Sequence, residues 1–203
     1  MKSLSEIETI SKRASRASGY SWGISEEVGK SIRLLEMFSF KGVKNLNEYF
    51  KEKKDKKFEN LNLIDEKNVC LEFSYCPIIL GVSFLDQIRN LEKIKTINFS
   101  KIAYPLLFLP FLSRSSEVIG KKIFFKFEKN EFLLNINVNI ASNLFNKNCP
   151  KVATDVEVKI LENNDNFTEL DWKALYKLSE KTFVEETESL KKGAAGAGLT
   201  DND

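Results

Sequence analysis

No histidine occurs among the 203 residues. Ser-His-Asp and Cys-His catalysis are therefore excluded, as are zinc, haem and non-haem iron sites that need imidazole ligands. With 31 Lys+Arg against 29 Asp+Glu, the net charge is +2, and no side chain titrates between roughly pH 5 and 8 at its unperturbed value. A general base has to be a carboxylate, a lysine, a tyrosine or a thiolate with a shifted pKa. The small charge imbalance argues against a nucleic-acid partner. Cys70, Cys76 and Cys149 are odd in number, irregularly spaced and without a CxxC pair, so no disulfide framework is expected. The longest apolar run, Ile102 to Leu112, is too short to span a bilayer and contains Pro105 and Pro110, so no membrane partner is expected. MKSLSEIETI has no apolar core of the signal-peptide kind. These absences point to a soluble, reduced, cytoplasmic protein. The cofactor is left unknown, since no dinucleotide, haem or zinc motif is found.

What the chain does hold is apolar residues, 42% of it with 16 Phe, which argues for a folded core. The length fits one domain, 1–203, able to bury that core without disulfides or metals. Within it, 51–60 reads as a flexible segment and 193–203 as a Gly-rich tail.

Ser3 with Glu6 reads as a capping box before a helix on which Leu4, Ile7, Ile10, Ala14 and Ala17 recur at helical spacing, ended by Gly19. A turn through Trp22 and Gly23 leads to Ser25 as N-cap of a second helix reaching about Phe40. A third helix starts at Asn45 and runs into KEKKDKKF, read as a solvated helix end or linker. Val69, Leu71 and Phe73 alternate as a short strand, Pro77 opens a helix to about Asn90, 93–99 reads as a strand, and Pro110 opens a helix that ends before Gly120. Residues 121–127 and 131–139 read as paired strands, the second with Phe132, Leu134, Ile136, Val138 and Ile140 on one face. Val152, Val156, Val158 and Ile160 mark another strand, and Thr168 or Asp171 caps a last helix bearing Trp172, Leu175 and Leu178. The order predicts an α+β fold: an N-terminal helical hairpin, a mixed or antiparallel sheet, a C-terminal helix and the Gly-rich tail.

Four segments then stand out together: SWGISEEVGK at 21–30, Cys76-Pro77, the stretch from Pro105 to Leu112, and GAGLTDND at 196–203. In this order they resemble a bacterial family known only as domain of unknown function family 3726. The resemblance implies a single domain along the whole chain and supplies no activity. Lys191-Lys192 stands where the family pattern suggests an Arg or small residues.

Two constellations offer chemistry. Glu26, Gly29, Lys30 and Arg33 share a stripe on the second helix, and Glu26 precedes Lys30 in the favourable order. Gly29 costs a helix about 1 kcal/mol relative to Ala, so it marks room for another backbone or for a ligand. Arg13 and Arg16 on the first helix face that stripe if the hairpin is antiparallel, and Trp22 offers a stacking surface. The other constellation is the tail. Gly196 and Gly198 permit close backbone approach, and Asp201 and Asp203 bring negative charge to the chain end. Such a tail is solvated, an internal clamp, a lid or, least well supported, a cation ligand. Cys76 at a helix start is either a nucleophile or a buried structural thiol.

Whether the chain is an enzyme stays open at this point. The first reading is an enzyme, or enzyme accessory subunit, of small-molecule metabolism, with its site between the Trp22–Arg33 segment and the tail. Glu26 or Glu27 is then the acid/base, and Lys30 with Arg13, Arg16 and Arg33 holds a small anionic ligand. The alternative is a non-catalytic module that binds a protein partner through the Gly-rich acidic C-terminus.

Overall fold

A computed structural model describes residues 2–144 and 149–183. The described residues form six α-helices and a six-stranded sheet, the α+β class expected. They fall into two compact units, residues 1–163 and a shorter one from Asn164 onward.

Helix α1 spans Leu4–Ala17, and the Ser3 hydroxyl accepts the Glu6 N–H at 3.1 Å. Gly19 takes φ 95°, a turn an L side chain resists, and starts the return. The buried side of α1 is not its apolar row. Ile10 is exposed, and Ser11 and Ser15 are buried. The cause is close approach by α2, Trp22–Met37. A methyl built on Gly29 would sit 2.8 Å from the Glu8 carbonyl oxygen and 3.2 Å from Lys12 Cβ. The room at Gly29 is therefore filled by the neighbouring backbone, and only small side chains fit along this seam. Helix α2 also begins earlier than expected. Its N-cap is Ser21, whose hydroxyl accepts the Ile24 N–H at 3.4 Å, while Ser25 is buried inside the helix. Trp22 and Gly23 consequently belong to the first helical turn.

Helix α3, Gly42–Glu52, starts before Asn45 because Ser39, at φ 57°, reverses the chain sharply and the Glu36 carboxylate accepts the Val43 N–H at 2.8 Å. Leu46 and Tyr49 are its buried side chains. Helix α4, Pro77–Leu91, has Cys76 as N-cap and Pro at its first position, where the missing N–H is no loss. Helix α5 covers Leu109–Ile119 after a 3-10 turn at Pro105–Leu107.

The strands are β1 Lys67–Asn68, β2 Thr96–Ala103, β3 Lys122–Phe127, β4 Asn130–Leu134, β5 Ile140–Ser142 and β6 Val152–Leu161. They lie in the order β1-β2-β6-β3-β4-β5, with β1 parallel to β2 and the other pairs antiparallel. Alternate residues such as Phe99, Phe125, Phe132 and Val158 are buried. Phe108 meets Phe84, Phe99 and Phe125 edge-on at 5.6, 5.9 and 5.7 Å, which ties α4 to the sheet. Each such ring contributes roughly 1.5–3 kcal/mol through burial.

Two expected strands are corrected. Residues 69–74 form a loop, not a strand, with Leu71 97% exposed. Here backbone donors go to a carboxylate instead of a neighbouring strand: Glu59 accepts the N–H groups of Leu71, Glu72 and Phe73 at 3.0, 2.6 and 2.7 Å. The strand expected through Asn139 ends at Leu134. A turn closed by the Asn135 N–H donating to the Asn139 carbonyl at 3.0 Å, with Val138 at φ 57°, separates β4 from β5.

The shorter unit carries α6, Glu169–Ser179, whose capping box is made by Thr168 and Asp171. None of its residues is buried, and Trp172, Leu175 and Leu178 are all exposed. Among the described residues no helix is long and apolar enough to cross a membrane.

Candidate functional site

The stripe expected on α2 is present, but its charges are used in pairs. Glu26 pairs with Lys12 of α1, not with Lys30. The hydrogen bond from Lys12 and its charge hold the Glu26 carboxyl below the usual range. Lys30 lies 3.1 Å from Glu27, which also meets Arg114 of α5. Arg33 reaches Glu8 at 3.1 Å. Arg16 donates to the Tyr20 carbonyl at 2.9 Å and holds its guanidinium 5.5 Å from the Trp22 ring centroid, and Arg13 is exposed. Lys30 and Arg33 share a shallow hollow of about 270 Å³ with Arg114, but Glu8 and Glu117 line it too. The α1–α2 hairpin thus carries a ladder of surface ion pairs, each worth about 0–1 kcal/mol. Gly196, Gly198, Asp201 and Asp203 lie outside the described residues.

A different cleft, about 490 Å³, opens where the α1–α2 turn, α3, the segment after α3 and the start of α4 meet. Lys53, Lys56 and Lys57 line it, and among the described residues no Asp or Glu does. Lys53 Nζ donates to the Ser18 carbonyl at 3.0 Å and stands 3.9 Å from the Tyr20 ring centroid. Lys56 is tied to Glu52 at 3.1 Å. Lys57 has no carboxylate partner among the described residues. The charge run read as a solvated helix end is therefore one wall of a cavity.

Two phenols and a thiol meet at its floor. Tyr20 Oη lies 2.9 Å from Tyr49 Oη, Tyr49 Oη lies 3.0 Å from Cys76 Sγ, and Tyr20 Oη lies 3.6 Å from the same sulfur. The Ile79 N–H donates to Cys76 Sγ at 3.4 Å. Burial, then the neighbouring thiol, push both phenols well above the usual tyrosine range. Both therefore remain neutral donors at any ordinary pH.

The position of the floor follows from local structure. Gly19 turns the chain so that Tyr20 points inward. Tyr49 is gripped by Phe50, Phe58 and Tyr104, with ring centroids at 5.8, 5.1 and 5.7 Å. The Cys76 N–H donates to the Glu59 carbonyl at 2.8 Å, while the Glu59 carboxylate gathers the preceding loop. Those loop N–H groups hold the Glu59 carboxyl below its usual range. Sequence reasoning reached Cys76 but not Tyr20, Tyr49 or the lysines. The available signal was a basic run following an aromatic pair at Tyr49-Phe50.

Lys56, Lys57 and Phe58 also line a second hollow of about 580 Å³, together with Glu52, Glu72 and Lys101.

No curated protein and no solved structure matches this chain. A family model matches residues 2–71, a span that holds SWGISEEVGK, Tyr20, Tyr49 and the lysine run and ends before Cys76-Pro77, the 105–112 stretch and the 196–203 segment. That family is described as Protein of unknown function (DUF3726), and the N-terminal part of this chain resembles it.

Proposed function

We propose that this chain binds a small anionic molecule in the cleft floored by Tyr20, Tyr49 and Cys76. One observation carries the reading: among the described residues three lysines line the cleft and no carboxylate does, so its field favours a phosphate or carboxylate. The aromatic and aliphatic floor suits an apolar body attached to that charge. A reducing compartment such as the cytoplasm keeps Cys76 a thiol, in keeping with its unpaired state. The acid/base role first assigned to Glu26 or Glu27 fits less well, because both carboxylates are engaged by cations outside this cleft. Thermal shift and calorimetry with inorganic phosphate and benzoate test the reading. Binding that Lys57→Met weakens about tenfold supports it. Equal binding by wild type and the Lys53→Met and Lys57→Met variants, or none by any, refutes it.

A second reading, an interaction module, is favoured by α6. Phe167, Leu170, Trp172, Leu175, Tyr176 and Leu178 are each at least 50% exposed on and beside one short helix. Amphipathic helices of this kind dock into apolar grooves. Sedimentation of the full chain against the Trp172→Ala/Leu175→Ala variant tests self-association. A species that dissociates only in the variant favours the module, and a monomer in both removes this form of it.

A further inference from the structure

We infer that Cys76 is the reacting group of the cleft, a thiol nucleophile toward small anionic molecules that carry an electrophilic carbon. The substrate class rests on the anion reading above; the nucleophile rests on geometry of its own. Cys76 lines a cavity large enough for a small molecule and is itself 2% exposed. Tyr49 Oη at 3.0 Å, Tyr20 Oη at 3.6 Å and the Ile79 N–H at 3.4 Å converge on it. The Ile79 N–H, and the Tyr49 hydroxyl once it holds the thiol's proton, both donate to the sulfur as its electron pair attacks.

The two phenols also form a path for the proton. Sγ, Tyr49 Oη and Tyr20 Oη follow one another at 3.0 and 2.9 Å, and Tyr20 lines the cleft. In the step, the thiol gives its proton to Tyr49, Tyr49 gives its own to Tyr20, and Tyr20 releases one to water in the cleft. Both phenols end as neutral as they began. The sulfur electron pair forms the S–C bond, the bond from that carbon to the leaving group breaks, and the leaving group departs with its electron pair. The reaction needs no oxidant or reductant. Lys53 and Lys57 hold the substrate's anionic group, and their charge sets how much substrate is needed, not the rate of bond formation. Tyr49 is a positioning and proton-passing residue with the opposite signature.

Two alkylating probes of nearly equal size, anionic iodoacetate and neutral iodoacetamide, separate these roles. The native full chain is treated with each, and modification at Cys70, Cys76 and Cys149 is followed by peptide mass spectrometry. The expected result is saturable modification of Cys76, with an iodoacetate-to-iodoacetamide rate ratio about tenfold above that of free cysteine, as an attracting cleft produces. Lys57→Met raises the half-saturating iodoacetate concentration and leaves the limiting rate alone. Tyr49→Phe lowers the limiting rate for both probes and leaves half-saturation alone. If Cys76 is modified by neither probe until the chain is unfolded, the nucleophile is refuted, while phosphate and benzoate binding can still stand. If iodoacetamide modifies Cys76 readily but iodoacetate gains nothing, the anionic substrate class and the anion reading fall together.

Discussion

Lys53 holds its ammonium 3.9 Å from the centroid of the Tyr20 ring while donating to the Ser18 carbonyl at 3.0 Å. One side chain thus closes the C-terminal end of α1 and caps the aromatic floor of the cleft. Lys53→Met keeps the aliphatic stem but loses the charge. A cation over a ring contributes about 0.5–1 kcal/mol at a partly exposed site, and 1 kcal/mol shifts Tm by about 2–4 °C in a chain of this size. The variant is expected to melt 1–4 °C lower by calorimetry, roughly the product of those two ranges.

Gly29→Ala is expected to cost about 1–3 kcal/mol, as overpacking does in a tight interior. The methyl would meet the Glu8 carbonyl oxygen, a backbone atom that moves only with α1. Urea titration measures the loss. Gly23→Ala, where a methyl meets nothing within 4 Å, is the control and should gain a few tenths of a kcal/mol through helix propensity.

Stability at low pH should depend on Glu52. Its carboxylate accepts from Lys151 at 2.8 Å and Lys56 at 3.1 Å. The Lys151 hydrogen bond, with that of Lys56 behind it, holds its pKa down to about 2. The folded value lies below the unfolded one, so the stabilisation is present above the usual carboxylate range and is lost as pH falls from about 5 to 2. Glu52→Gln should be the less stable protein at pH 7, and the two denaturation curves should converge near pH 2. A constant gap across that range would contradict the assignment.

At the alkaline end the sign reverses. Burial pushes Tyr104 up to about 12, helped by the nearby Glu52 carboxylate, and raises Tyr20, Tyr49 and Tyr75 as well. These groups stabilise the fold fully below about pH 10, where the unfolded chain also keeps its phenols protonated. That contribution fades as pH rises further. In a Tyr176→Phe background, which removes the one tyrosine exposed on α6, phenolate absorbance should therefore appear together with loss of circular dichroism, not ahead of it, and Tyr104→Phe should delay both.

Glu59→Ala removes the acceptor shared by the Leu71, Glu72 and Phe73 N–H groups. Hydrogen exchange at those three amides should accelerate, while exchange within α4 beyond its first turn stays slow.

Much of the fold was legible before the structure. Polar caps at Ser3 and Thr168, Pro77 at a helix start and the alternation of β6 each express a local preference that the tertiary structure keeps. Failures came where a long-range partner replaced a local one. Ser25 looked like a cap because Glu26 and Glu27 follow it, yet burial against a close neighbour suits a small side chain equally well. Val69, Leu71 and Phe73 alternate like a strand, but a carboxylate ten or more positions earlier takes the N–H groups of Leu71 and Phe73. The run 131–140 keeps period two straight through a tight turn, which alternation alone does not register. In the candidate site, Cys76 announced itself by preceding Pro77. The phenols did not, because a buried tyrosine in a core and one at a cavity floor have the same sequence signature. The lysines were masked by their own abundance.

The two hollows beside α3 share a partition. Lys56, Lys57 and Phe58 face both, so a single substitution in that shared wall alters the charge and shape of both chambers at once.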